Sequence, residues 1–218
     1  MSESFAHLSI ACSWIDRTYW RMIGYVPSAQ TGLALLADSE DDRAVGRKLM
    51  DKLGPKPCAM PDEEFRDAVL LWPLSPAHWV PSRFSDGGHY GLLYAAFERE
   101  TALAEAMHYY RRFFADAGVP LAQAPVQQRG LFTFKAAELL ADARKAAKRQ
   151  RHLVADDHTW CRNFGRYLAA HLQSGWVYRS ARCQGGSAIA LLRASHANTV
   201  EWVETVRLGE GIPKDESH

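Results

Sequence analysis

Between His89 and Gly118 the chain changes its apolar period, and that change restricts the fold more than any other feature. In residues 89–97 the side chains alternate: Tyr90, Leu92 and Tyr94 point one way, Gly91, Leu93 and Ala95 the other, as in a strand. In residues 100–118 the spacing becomes helical, with Leu103, Met107, Tyr110 and Phe114 on a core-facing side and Gly118 at the end. Phe97, Glu98 and Arg99 form the connection. A strand feeding directly into a helix needs further strands to pair with and a sheet face for the helix to cover.

The rest of the chain supplies them. Residues 18–26 read as a strand entering a turn at 27–32, and residues 131–134 as another short strand. The tail offers strands at 176–180, 187–194 and 199–208, with a Gly185–Gly186 turn between the first two. Helices are expected at 37–53, acidic at its start and basic at its end and stopped by Gly54, Pro55 and Pro57, and at 135–150 by propensity. A further helix is expected at 156–173, with Asp156 or Asp157 as N-cap. The proline- and tryptophan-rich stretch 65–90 reads as ordered irregular structure. This order of elements predicts an α+β fold, a mixed sheet with flanking helices, in one domain over residues 1–218.

Bulk properties remove several functional classes. The 218 residues carry a net charge of +1, so no global field draws the chain to nucleic acid or an anionic membrane. No apolar run approaches the ~18 residues of a membrane span, and the N-terminus lacks the pattern of a signal peptide, so a cytoplasmic location is expected. Cys12, Cys58, Cys161 and Cys183 form no C-x-x-C pair and read as buried structural thiols. None of the nine histidines pairs at metal-ligand spacing, so no metal is expected. Dinucleotide and P-loop glycine motifs are absent. The basic string Arg144, Lys145, Lys148, Arg149, Arg151 is either a nucleic-acid patch or a solvated helix face, and the interspersed alanines favour the latter.

Candidate chemistry gathers at a few positions. Glu105 shares a helix face with Ala102 and Tyr109 in a run of small and apolar residues. It is either an ordinary surface glutamate or a carboxylate that is paired or working, because burying one otherwise costs too much. A strand–turn–helix unit can bring Tyr94 and Glu105 to one end of a site. Arg83 precedes Ser-Asp-Gly-Gly, which is either a plain turn or a backbone able to approach a ligand closely. Ser180 ends a strand whose same face carries Trp176 and Tyr178. No G-x-S-x-G elbow surrounds it, which excludes a serine hydrolase of that kind.

In order and spacing these residues resemble the RES family, named for an arginine, a glutamate and a serine spread along the chain. The resemblance runs from about Thr18 to His196, with a helical insertion at about 135–155. It rests on Tyr19-Trp20-Arg21, on Ser82-Arg83-Phe84, and on His89-Tyr90-Gly91-Leu92-Leu93-Tyr94-Ala95-Ala96. Thr101-Ala102-Leu103-Ala104-Glu105 and Tyr178-Arg179-Ser180-Ala181-Arg182 complete it. Arg83-Phe84-Ser85 stands where family members often carry Arg-Trp-Asn.

The resemblance implies a fold similar to ADP-ribosyltransferase toxins and an enzyme that depletes NAD⁺ by phosphorolysis or hydrolysis. ADP-ribosylation of a protein and a non-catalytic binding module are the alternatives. It implies Glu105, Arg83 and Ser180 as catalytic residues. NAD⁺ as substrate would be held by Tyr94, Arg21, Arg83, Ser180 and Arg182, the last a candidate ligand for inorganic phosphate. A cognate antitoxin would block the site.

Overall fold

The structure is a computed structural model that describes residues 5, 10–24, 66–67, 69–144, 157–172 and 174–210. Six strands form one mixed sheet: β1 (Cys12–Gly24), β2 (Leu93–Ala96), β3 (Gln127–Asp142), β4 (Gly175–Arg179), β5 (Ser187–Leu191) and β6 (Ala197–Leu208). Two α-helices flank it among the described residues, α1 (Arg99–Asp116) and α2 (Thr159–His171). The class is α+β.

Strand order is β1-β2-β5-β4-β3-β6, and β3 also pairs with β1. The first five strands therefore close into a ring, with β6 laid against the N-terminal part of β3, residues 127–136. All pairings are antiparallel except β3 with β4. Closure hides strand edges that would otherwise be left open.

The alternation of each strand divides its residues between two faces. One face gathers Tyr19, Phe132, Phe134, Leu140, Val177 and Ile189 into a single cluster. The other is covered by helices. Cys161, Phe164 and Leu168 of α2 pack on Trp176, Tyr178 and Ala190. Tyr110 and Phe114 of α1 pack on Leu208, while Ala102 meets Leu131. Met107 packs partly on the Leu208 cluster, and Leu103 is half-buried. Ala102, expected on the Glu105 face, instead turns toward the sheet.

The helix expected at 135–150 is corrected, since residues 135–142 continue β3. All 13 residues of β1 pair with β3, from Cys12 opposite Ala141 to Gly24 opposite Arg129. That long ladder outweighs the helix propensity of Lys-Ala-Ala-Glu-Leu-Leu. Alternation is present once Glu138 is placed on the inner face: Phe134, Ala136, Glu138 and Leu140 are buried, Lys135 and Leu139 exposed. Glu138 accepts a backbone hydrogen bond from His196 at 3.4 Å.

Of the expected helical insertion at about 135–155, residues 135–142 are strand and residues 145–156 lie outside the described residues, as do the helix expected at 37–53 and the turn at 27–32. The strand expected at 89–97 is confined to Leu93–Ala96, and that expected at 131–134 is longer than anticipated. His158 is the N-cap residue of α2, while the Asp157 carboxylate accepts the Thr159 N–H at 2.9 Å. The stretch 71–90 is irregular, with two short 3-10 turns. Cys161 is buried as expected, Cys183 is half-buried, and Cys12 is exposed, contrary to expectation.

Candidate functional site

The site is built where β2, β4 and the start of α1 converge. β5 runs between β2 and β4, with Tyr94 opposite Ala190 on one side and Trp176 opposite Ala190 on the other. The small side chains of Ala188 and Ala190 leave room for larger neighbours to meet above them. Tyr94 and Tyr178 do so, ring centroids 6.5 Å apart and edge to face.

Glu98 clamps the β4–β5 hairpin to α1. Its Oε2 accepts the Thr101 hydroxyl at 2.9 Å and the Ser187 N–H at 3.2 Å. Gly186 permits the contact, since a Cβ there would lie 2.4 Å from Thr101 Oγ1. The hairpin then folds back on itself through Ser180 N–H to the Gly186 carbonyl at 3.0 Å.

This clamp places Ser180 over the second turn of α1. The Ser180 hydroxyl donates to Glu105 Oε1 at 2.6 Å and accepts the N–H groups of Arg182 at 3.0 Å and Cys183 at 3.1 Å. With Ser180 only 8% exposed, its oxygen is fully committed. The carboxylate is thereby held in one orientation.

Arg83 arrives on the loop before β2. The residue is 4% exposed, and its backbone is held on both sides. Tyr94 shares a 2.9 Å hydrogen bond with the Ser82 hydroxyl and accepts the Phe84 N–H at 3.2 Å. Arg162 Nε donates to the Ser82 carbonyl at 3.0 Å, and the Tyr90 hydroxyl to the Phe84 carbonyl at 2.5 Å. Behind the loop, α2 comes flush against Phe84 because Gly165 has no side chain: a Cβ would lie 2.1 Å from the Phe84 carbonyl oxygen.

Electrostatics tie these parts into one cluster. Burial raises the Tyr109 hydroxyl, and Glu105 raises it further against Arg83, Arg182 and Arg112. Burial likewise holds Tyr178 well above the usual phenol range, with Glu105, Tyr94 and Tyr109 adding to the effect and Arg83 opposing it. Burial lowers His158 to about 4, helped by Arg83, Arg162, Arg112 and Arg182, so its imidazole is neutral at pH 7. Its buried Nε2 has no hydrogen-bond partner among the described residues. The Cys161 thiol, pushed up to about 11 by burial, stays protonated while Arg83 hydrogen-bonds it.

Of the residues singled out from sequence, Glu105 and Ser180 are joined by a hydrogen bond. Arg83 and Arg182 both lie within electrostatic reach of the Tyr109 phenol, and Tyr94 anchors the Arg83 loop. Arg21 is placed elsewhere. It donates to the carbonyls of Val69 at 3.1 Å and Tyr94 at 2.6 Å, behind the β2 backbone. Burial lowers it to about 10, so it stays charged.

Sequence reasoning did not assign Tyr109, Tyr178, Arg112 or His158 to the site. Tyr109 lies one turn from Glu105, and Tyr178 two residues before Ser180 on one strand face, so both carried a usable signal. Nothing in the sequence distinguished His158. Among the described residues no three His, Cys, Asp or Glu side chains gather to hold a metal ion, and no helix is long and apolar enough to cross a membrane.

The family model described as "RES domain" matches residues 62–210, more than half of the chain. The chain belongs to the RES-domain family. The matched stretch of this RES domain contains Arg83, Tyr94, Glu105, Ser180 and Arg182, and begins after Arg21. No curated protein matches the chain. Among solved structures it is similar to the M. tuberculosis MbcT-MbcA toxin–antitoxin complex, with 14% identity, 90% of this chain and 86% of that chain covered, and a TM-score of 0.47.

Proposed function

We propose that this RES domain is a toxin-type enzyme that cleaves the nicotinamide–ribose bond of NAD⁺ and depletes the cytoplasmic pool. The observation that carries this reading is the 2.6 Å hydrogen bond from Ser180 to Glu105, made beside a group of guanidinium ions. A fixed carboxylate next to clustered arginines suits a substrate that develops positive charge at a sugar carbon and carries negative charge on its phosphates.

In the proposed reaction the C1′–N bond breaks and its electron pair leaves with nicotinamide, which departs neutral. The ribosyl carbon passes through an oxocarbenium-like state that the Glu105 carboxylate stabilises. A nucleophile then bonds to C1′. With water, the proton it loses passes to solvent or Glu105 and the product is ADP-ribose. With inorganic phosphate, the product is ADP-ribose 1″-phosphate. Arg83 and Arg182 grip the pyrophosphate or the attacking phosphate through forked, charge-assisted contacts. Ser180 orients Glu105. Tyr94 shapes the pocket by holding the Arg83 loop, and Arg21 supports Tyr94 from behind. Membership of the RES family supports a protein antitoxin as the partner that closes this site.

The test is an incubation of purified protein with NAD⁺ labelled in the ADP-ribose half, with and without inorganic phosphate and with cell extract, products resolved by mass. Free labelled ADP-ribose or its phosphate ester is expected, together with released nicotinamide. Label retained on protein would replace the reading with ADP-ribosyl transfer. Intact NAD⁺ in every arm would overturn it.

A further inference from the structure

Beyond Glu105 the exposed face of α1 carries two large rings. Phe113 is 62% exposed and Tyr109 51%, the latter with its hydroxyl end desolvated; each meets a neighbouring ring, Phe114 and His108, in an edge contact that leaves much of the side chain open. Positions 105, 109 and 113 are successive i, i+4 neighbours on one helix face. At 1.5 Å rise per residue, Tyr109 lies about 6 Å and Phe113 about 12 Å along the axis from Glu105.

Charged groups accompany that face. Glu105 lies at one end. The Tyr109 hydroxyl is within electrostatic reach of Arg83, Arg182 and Arg112 at once. Arg112, the residue before Phe113, is paired with Asp116 at 3.5 Å. At successive turns of α1 come the Glu105 carboxylate, the Tyr109 ring with guanidinium groups acting on its hydroxyl, and the flat apolar ring of Phe113. A dinucleotide presents the complementary order: reacting ribose, pyrophosphate, distal base.

We propose that Tyr109 and Phe113 form a stacking subsite for the distal base of the dinucleotide, so that α1 is the rail along which the substrate lies. This rests on the proposed reading of Glu105 as the residue facing the reacting ribose. An aromatic ring accepts any base through its π face, and loss of one such platform weakens binding by roughly five- to 150-fold. The subsite gives selectivity for a dinucleotide over a mononucleotide that shares the same scissile bond.

Two measurements test it. Steady-state kinetics compare NAD⁺ with nicotinamide mononucleotide for the wild type, Phe113→Ala, Phe113→Trp and Tyr109→Phe. Phe113→Ala is expected to raise the KM for NAD⁺ about tenfold and to shrink the dinucleotide preference by the same factor. Phe113→Trp and Tyr109→Phe, which keep a flat ring, are expected to preserve that preference. A preference left unchanged by Phe113→Ala, or equal losses on both substrates, overturns the subsite. Binding of adenosine monophosphate by calorimetry needs no turnover, and Phe113→Ala is expected to weaken it about tenfold. Equal binding by both proteins, or none by the wild type, overturns the subsite. A wild type that binds adenosine monophosphate through Phe113 yet leaves NAD⁺ intact overturns only the cleavage reading.

Discussion

Ser180 makes three hydrogen bonds with one hydroxyl, and each has a different consequence when lost. Ser180→Ala removes the donor that orients Glu105 and strands the Arg182 and Cys183 N–H groups. We expect about 1–3 kcal/mol of destabilisation in chemical denaturation, with kcat falling at least about tenfold as the carboxylate loses its fixed geometry. Arg83→Lys should lower kcat/KM by about two orders of magnitude, because an ammonium offers no fork. His158 gives a prediction in pH. Burial and the surrounding arginines put its folded pKa near 4, below the unfolded value of 6.5. Between these values the unfolded state binds more protons, so stability is full above pH 6.5 and declines as pH falls toward 4. The loss is about 1 kcal/mol once the part-exposure of the ring is allowed for. Thermal midpoints recorded from pH 7 to 4.5 should fall more steeply for the wild type than for His158→Gln, and equal slopes would contradict the assignment. At this scale the sequence was informative where residues share an element: Glu105 with Tyr109, Ser180 with Tyr178. It was silent on His158, whose neighbours come from three separate segments, and it singled out Tyr94 without revealing that its hydroxyl holds a loop ten residues away.

Among the elements, α2 matters through a single missing side chain. Gly165 lets the helix touch the Phe84 carbonyl, and the same loop carries Arg83. Gly165→Ala adds one methyl group where only 2.1 Å is available. We expect about 1–3 kcal/mol of destabilisation and a shifted Arg83, read as a lower denaturation midpoint together with a raised KM. A fold and KM both unchanged would mean that the helix does not set the loop. The elements also show why a helix at 135–150 was read from sequence. Alanine, leucine and lysine favour helix locally, and the buried Glu138 breaks the apolar alternation that marks a strand. β1, more than a hundred residues earlier, pairs every residue from Lys135 to Ala141 and so supplies the long ladder that decides the matter. The strand-to-helix switch at 93–116 needed no distant partner, and its type was legible although β2 is shorter than expected.

In the whole molecule, ring closure does what no single element can. β3 closes onto β1, and β5 holds β2 and β4 at a fixed spacing, so residues from Arg83 to Ser180 meet on one outer face. The mixed α+β class was readable from element order, whereas closure depends on the non-sequential pairings of β3 with β1 and β4. In the proposed reaction this convergence presents the Glu105 carboxylate to a ribosyl carbon. The most direct test is the rate of NAD⁺ loss with purified wild type and Glu105→Gln, each checked for a cooperative thermal transition. The amide keeps the shape of the side chain and can still accept the Ser180 hydrogen bond, but it carries no charge. Glu105→Gln is expected to fold with a similar midpoint and to lose at least about a hundredfold in kcat. A folded Glu105→Gln protein that consumed NAD⁺ at the wild-type rate would contradict it.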